Sequence, residues 1–252
     1  MGVAISLRKD PKSSFYKNML LGLLNGTDAD ELLLCTGYLQ YLAKDKNGNP
    51  TTYNVFLDED ANSNNLLEAI CRYRKVTIVG IRAYTNGDWY TQYVNAVDYL
   101  KSEIKKRNSS TKLSCFYNKA GNWHAKIAIL LRNVGNDKIP IAALVGSSNL
   151  TKPPMSDRNT PASLLPQIAG YTQPIAYNME ADTLIYVNEE AARVVEQQLT
   201  AYVDMEYGSI LSFSNTPTIY GNKNINSEGD VILAEYNDVF SQLTATTNFN
   251  KL

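Results

Sequence analysis

A histidine and a lysine two residues apart, followed by a small polar turn, are the residues of this chain best suited to phosphate chemistry. His124 is the only histidine in the 252-residue sequence, and Lys126 follows it at the start of an apolar run. A second apolar run leads into a turn of four small residues, Gly146, Ser147, Ser148 and Asn149. Backbone N–H groups, hydroxyls, an amide and an ammonium are the donors that an anionic ligand needs. The spacing therefore predicts a phosphate pocket.

The apolar runs 123–131 and 139–145 each predict a strand. On a strand, residues i and i+2 point to the same face, so His124 and Lys126 are expected to project together. A lysine that leads into a buried strand needs a partner, and an anion would satisfy it. If the two strands are neighbours, the polar turn would lie beside this pair. Taken alone, however, a histidine in an apolar strand is also compatible with a satisfied core residue.

The pattern H-x-K followed by G-S-x-N resembles the signature of the phospholipase D-like phosphodiesterase superfamily. The resemblance extends over roughly residues 30–205. Family members often carry a glutamate after these two motifs, and Glu180 is well placed to supply it. Glu189 and Glu190 are nearby alternatives, although their place in the first turn of an expected helix explains them as partners of its dipole. The family's usual aspartate, five residues after the lysine, is replaced here by Leu131. This departure is typical of the restriction-endonuclease branch, whose members carry one motif per chain.

The resemblance implies a metal-independent, cofactor-free mechanism that uses two histidines. One imidazole would attack phosphorus to form a phosphohistidine, and the second would protonate the leaving oxygen and then activate water. Lys126 and Asn149 would stabilise the transition-state charge, and Glu180 would orient the imidazole. Gly146, Ser147 and Ser148 would contribute to substrate binding. Because the chain has one histidine, the resemblance implies a homodimer with the active site at its two-fold interface and DNA as substrate.

Alternating strand and helix patterns predict the fold class. Apolar strand cores separated by helices favour an α/β layered α-β-α sandwich with a mixed β-sheet, as in phospholipase D-like proteins. We expect a catalytic domain over residues 1–206 and a C-terminal appendage over 207–252, packed on the domain or on a partner. The expected strands are 31–39, 76–81, 112–117, 123–131, 139–145 and 182–187. The expected helices are 14–25, 66–74, 88–107 and 189–205.

Composition limits the classes of function that this chain can have. The net charge is −1, so any binding of nucleic acid must rely on local patches rather than on a global positive field. The three cysteines show no metal-binding spacing, and with a single histidine no metal site is predicted. No apolar run reaches the length of a membrane span, and no signal peptide is recognisable. We therefore expect a cytoplasmic protein that does not contact membranes.

Two other functions stay open at this point. A phospholipase or phosphatidyl-transfer enzyme of the same superfamily would be expected to carry two motifs and an acyl-chain groove. A non-catalytic nucleic-acid-binding module of a larger complex would retain the fold without turnover. The intact residues His124, Lys126 and Asn149 favour the nuclease interpretation over this last alternative.

Overall fold

A mixed β-sheet with helices on both faces forms the centre of the molecule. The computed structural model describes residues 2–8, 15–44, 50–57, 65–80, 87–107, 109–118, 124–150, 155, 181–187, 189–204, 208–214, 228–245 and 249–252. The strands are β1 (Gly2–Arg8), β2 (Glu31–Thr36), β3 (Leu42–Lys44), β4 (Pro50–Asn54), β5 (Lys75–Gly80), β6 (Lys112–Asn118), β7 (Ile127–Val134), β8 (Asp137–Gly146), β9 (Ala181–Tyr186), β10 (Gly208–Ser214) and β11 (Phe249–Lys251). The helices within the described ranges are α1 (Phe15–Gly26), α2 (Leu66–Arg72), α3 (Gly87–Lys106), α4 (Glu189–Asp204) and α5 (Glu228–Ala245).

Nine strands form the main sheet in the order β10-β1-β9-β8-β7-β2-β5-β6-β11. The neighbours β2, β5 and β6 run parallel, and the remaining pairs are antiparallel. The strands β3 and β4 form a separate antiparallel pair. The mixed sheet agrees with the prediction from sequence.

The sheet separates two hydrophobic cores. Along β2, Leu32 and Leu34 face one core, whereas Leu33 and Cys35 face the other, as the two-residue period of a strand requires. Helices α1, α2, α3 and α4 pack into the first core, and α5 covers the second. The predicted α/β layered α-β-α sandwich is therefore confirmed.

The C-terminal segment contributes to both edges of the sheet and to one of its faces. The strand β10 pairs with β1, and β11 pairs with β6. Helix α5 supplies Ile232, Tyr236, Val239 and Leu243 to the second core. The described parts of this segment, 208–214, 228–245 and 249–252, thus share a sheet or a core with the preceding residues, and the expected division at residue 206 stays a prediction.

A tight hairpin joins the two central strands β7 and β8. Gly135 lies in its turn with a φ of +63°, a conformation that residues with a Cβ rarely adopt. The hairpin places the first residue of β7 beside the last residues of β8, with Ile127 opposite Val145. The two strands that we expected to be neighbours are adjacent, so the chemistry-bearing motifs meet at one end of the sheet.

A buried carboxylate links the sheet to α5. The Glu31 side chain, 2% exposed, accepts hydrogen bonds from Lys75, Lys138 and the Tyr236 hydroxyl. Burial alone would raise the pKa of Glu31, but the hydrogen bonds from Lys138, Lys75 and Tyr236, together with the charge of Lys75, hold that pKa below its ordinary value. The charged carboxylate therefore fastens α5 to the strands β2, β5 and β8.

Among the described residues, no helix is both long and apolar enough to cross a membrane. The longest, α3, carries Lys105 and Lys106 in its last turn and exposes polar residues along one side.

Candidate active site

The two motifs predicted from sequence meet where the hairpin strands begin and end. The backbone N–H of Gly146, at the end of β8, donates a hydrogen bond to the carbonyl oxygen of Lys126 at 3.1 Å. His124 and Lys126 lie just before β7, which begins at Ile127, so our prediction of a strand starting at residue 123 was wrong for these residues.

The Lys126 ammonium lies against the His124 imidazole. Its Nζ is 2.9 Å from Nδ1, 3.0 Å from Nε2 and 3.1 Å from the His124 carbonyl oxygen. Lys126 is 9% exposed, whereas His124 is exposed. The two side chains therefore project together as expected, with the lysine beneath the ring and the imidazole accessible from outside.

The Asn149 carboxamide is fixed by the segment that follows β2. The backbone N–H of Tyr38 donates to Asn149 Oδ1 at 3.1 Å, and the backbone N–H of Leu150 donates to Thr36 Oγ1 at 3.1 Å. A backbone hydrogen bond from Gln40 to Leu150, at 2.9 Å, holds the two segments side by side. Because its oxygen is engaged, the Asn149 amide presents its NH₂ group as the donor for an anion.

Gly37 is a site residue that sequence analysis missed. A Cβ at this position would overlap the His124 ring, 2.8 Å from Nε2, and would lie 3.1 Å from Asn149 Oδ1. The absent side chain makes room for the imidazole beside the amide. A signal was present in the sequence, because Gly37 directly follows the apolar strand β2, and ligands bind beyond the carboxyl ends of parallel strands.

Replacing Gly37 with alanine is therefore expected to displace the imidazole and to lower the turnover of any reaction that uses it by about 100-fold, the cost of misplacing a reacting group by roughly 1 Å. Two quantities are measured for each variant: the initial rate of phosphodiester hydrolysis, and the midpoint of thermal unfolding, which reports any loss of stability. Gly135→Ala is the matched control, because its Cβ would meet no atom within 4 Å but would strain the hairpin turn. Equal activity losses in both variants would contradict a local role for Gly37.

The turn 146–149 is held by a buried aspartate that sequence analysis did not single out. The Ser148 hydroxyl donates to Asp182 Oδ2 at 2.7 Å, and the Ser148 backbone N–H donates to Oδ1 at 3.3 Å. Asp182 is 3% exposed and Ser148 is 1% exposed. The structure thus places the Ser148 hydroxyl on Asp182, where it shapes the turn.

Gly146 and Ser147 complete the attachment of this turn to β9. A Cβ on Gly146 would lie 2.5 Å from the carbonyl oxygen of Ala181, so the close approach of β9 requires glycine. The Ser147 backbone N–H donates to that same oxygen at 3.0 Å, and Ser147 Oγ accepts from the Ala181 N–H at 2.9 Å. These contacts fix the position from which Asn149 enters the site.

Two of the sequence predictions concern carboxylates near this site. Glu180 lies outside the described residues, so its predicted role stays a prediction. Leu131 occupies the position of the family's usual aspartate, and its side chain is fully buried in the second core with Leu33 and Val239. A carboxylate at position 131 would be buried among apolar side chains instead of facing the imidazole.

An aromatic pair lies next to the imidazole. The Tyr38 ring meets the His124 ring edge-on, with centroids 5.7 Å apart and planes at 75°. Its centroid is 4.7 Å from that of Trp89, in the first turn of α3. Tyr38 therefore contacts the imidazole with its ring and Asn149 with its backbone N–H.

Other groups that could act as ligands or nucleophiles lie elsewhere. Among the described residues, no group of three or more histidine, cysteine, aspartate or glutamate side chains could hold a metal ion. Burial raises the pKa of Cys35, and it raises that of Cys115 to about 12, so these thiols stay protonated at neutral pH. At the site, the His124 imidazole is an exposed group that can act as a nucleophile.

Comparison with known proteins gives a remote structural likeness. No protein-family model and no curated protein matches the chain. The chain is similar to the solved structure of TrmBL2, described as an archaeal chromatin protein with a novel mode of DNA binding, at 12% sequence identity and a TM-score of 0.32. The match covers 81% of this chain and 53% of TrmBL2, so the chain spans about half the length of that protein. A likeness at this level does not identify a family.

Proposed function

We propose that this protein is a metal-independent phosphodiesterase that cleaves DNA through a phosphohistidine in a site shared by two subunits. The observation that carries the proposal is the convergence of an imidazole, an ammonium within 3.0 Å of it and an amide oriented by its neighbours. These three groups supply a nucleophile and two donors for the oxygens of a phosphate. They lie at one end of the sheet, where His124 is exposed.

The first chemical step is attack of the His124 imidazole on phosphorus. An N–P bond forms while the bond from phosphorus to the leaving oxygen breaks, and that oxygen takes a proton from the second imidazole. The attack uses the ring nitrogen of the imidazole that carries a free electron pair. Lys126 and the Asn149 NH₂ then stabilise the charge that grows on the phosphoryl oxygens.

The second step returns the histidine to its starting state. The now neutral second imidazole takes a proton from water, the water oxygen attacks phosphorus, and the N–P bond breaks. A single imidazole cannot be both the phosphorylated group and the acid–base catalyst. Since the sequence contains one histidine, a second copy of the chain supplies the other. The exposure of His124 leaves it accessible to that copy.

DNA is proposed as the substrate because of position 131. The branch of phospholipase D-like proteins that lacks the aspartate at this place is the restriction-endonuclease branch, and Leu131 fits that pattern. The packing of Leu131 in the second core accounts for its apolar character. The charge neutralisation that metal ions provide in many nucleases is assigned here to two copies of Lys126.

The test is the cleavage of supercoiled plasmid DNA in excess EDTA, with the molar mass of the protein measured in the same buffer. We expect nicked or linear product and a dimer. In a second assay, wild-type chains are mixed with an equal amount of His124→Ala chains, and the subunits are allowed to exchange. Compared with wild-type protein at the same total concentration, the mixture should cleave at about a quarter of the rate if both histidines are needed, and at about half of the rate if each chain works alone. A strictly monomeric protein that cleaves, or a dimer that releases lipid headgroups from vesicles and leaves plasmid intact, would refute the proposal.

A further inference from the structure

Four aromatic side chains form a rim beside the candidate site, named here the aromatic rim: Tyr38, Trp89, Tyr90 and Tyr117. Tyr38 follows β2, Trp89 and Tyr90 lie in the first turn of α3, and Tyr117 lies near the end of β6. The rings form two pairs, Tyr38 with Trp89 at 4.7 Å and Tyr90 with Tyr117 at 5.4 Å between centroids. Because β2 and β6 run parallel on either side of β5, the rim lies along one end of the sheet.

The aromatic rim is continuous with the site. Tyr38 contacts the His124 ring edge-on at 5.7 Å, and its backbone N–H holds Asn149. A strand whose phosphate is bound between His124 and Asn149 would therefore have Tyr38 next to it, and Trp89 behind Tyr38.

Of the rim, Tyr117 packs against the first core, whereas Tyr38, Trp89 and Tyr90 belong to neither core. Helix α3 buries Tyr93, Ala96, Val97 and Leu100, whereas Tyr90 is 43% exposed and Trp89 is half-buried. Among the described residues, the other large hydrophobic side chains with comparable exposure are Leu57, Val134 and Ile139, and none of these is aromatic. Among the described residues, Tyr90 is thus the aromatic side chain with this degree of exposure, and it belongs to the rim.

The second pair of the rim is held in place by hydrogen bonding. Asn250, in β11, donates a hydrogen bond from its side chain to the Tyr117 hydroxyl. The Tyr90 ring packs against Tyr117 at 65°, and 43% of Tyr90 stays exposed. A fixed, partly exposed ring is a stacking surface that loses little conformational entropy when a base binds.

We propose that the aromatic rim stacks the unpaired bases that flank the phosphodiester at His124, so that the preferred substrate class is single-stranded nucleic acid. This inference rests on the proposed function. Each face of an aromatic ring accepts any base, and only bases that are released from a duplex expose their faces to it. A paired duplex offers its phosphates to Lys126 but no base face to Tyr90 or Trp89.

The test is a binding assay with three fluorescein-labelled 12-mers that have phosphorothioate linkages to slow hydrolysis: single-stranded oligo-dT, an abasic strand with the same backbone, and a duplex. We expect oligo-dT to bind the wild-type protein at least about fivefold more tightly than the abasic strand, the lower bound for stacking of one base. Tyr90→Ala and Trp89→Ala should remove most of this difference, and Tyr90→Phe should retain it. Ile139→Ala, which removes an equally exposed apolar side chain at the far end of β8, should have no effect.

The outcomes separate this inference from the proposed function. Equal affinities for oligo-dT and the abasic strand, or equal losses for both probes in Tyr90→Ala, would overturn the stacking role even if plasmid is cleaved in EDTA. Base-dependent binding that Tyr90→Ala removes would uphold the rim even if no cleavage occurs, and the chain would then be a single-strand-binding module. Tighter binding of the duplex than of oligo-dT would overturn the assigned substrate class.

Discussion

Replacing His124 with alanine is expected to lower the rate of EDTA-resistant phosphodiester hydrolysis by about 10⁴-fold or more, the usual cost of removing a nucleophile that acts together with other groups. In the proposed dimer the substitution would remove both imidazoles, and with them the nucleophile and the proton donor. Since His124 is exposed, the midpoint of thermal unfolding should barely change. The measurement is the initial rate of plasmid nicking beside an unfolding curve.

The variant Asn149→Ala is expected to lose less activity than His124→Ala. It removes one donor to the phosphoryl oxygens and leaves the nucleophile in place, so we expect a loss of about 100- to 1,000-fold, the range measured for single oxyanion donors. If His124→Ala cleaves as fast as Asn149→Ala, the imidazole is not the nucleophile, and the phosphohistidine mechanism fails.

Replacing both Lys75 and Lys138 with methionine is expected to lower the free energy of unfolding by about 3–5 kcal/mol, the cost of leaving a buried charge without its partners. The double substitution leaves Glu31, 2% exposed, with only the Tyr236 hydroxyl from this cluster. The side chains of Lys75 and Lys138 are themselves 39% and 34% exposed, so the removal of their ammonium groups should have little further effect on stability. Urea unfolding monitored by circular dichroism gives the measurement.

Adding Glu31→Leu to the double variant should recover most of the lost stability, because no buried charge is left. The pH dependence supplies a second check. The pKa of Glu31 is lower in the folded chain than in the unfolded one, so its contribution is complete above the unfolded pKa and is lost as the pH falls through the folded pKa. The wild-type protein should therefore lose more stability in acid than the triple variant. Parallel pH profiles would contradict this account of the cluster.

Much of the layered architecture could be predicted from sequence, because its central strands and long helices have strong hydrophobic periodicity. The predicted helix 88–107 is found as Gly87–Lys106, and the predicted strand 139–145 lies within β8. The strand β1 and the two edge strands β10 and β11 were missed. Their sequences contain polar and small residues, and their pairing depends on partners far away in the chain.

The residues of the candidate site also fall into those that could be predicted from sequence and those that could not. His124, Lys126 and Asn149 could be proposed from sequence because their spacing forms a recognisable motif, and the structure brings all three together. Gly37 and Asp182 could not be found in this way. Gly37 contributes by having no Cβ, which leaves room for the His124 ring, and Asp182 binds Ser148, which is 34 residues earlier in the sequence. Neither residue is therefore part of a local sequence motif.

The position of β1 has a consequence for the order of events during synthesis. This strand, formed by residues 2–8, lies between β9 and β10, so its hydrogen-bonding partners are residues 181–186 and 208–214. Pairing over such sequence separations is slow, because the chain must close a long loop before any contact compensates for the lost entropy. Because β1 precedes both of its partners in the chain, it leaves the ribosome before them and must wait for them. Until then an unpaired edge is open to misassociation, which makes this segment the first place to look for chaperone binding or aggregation.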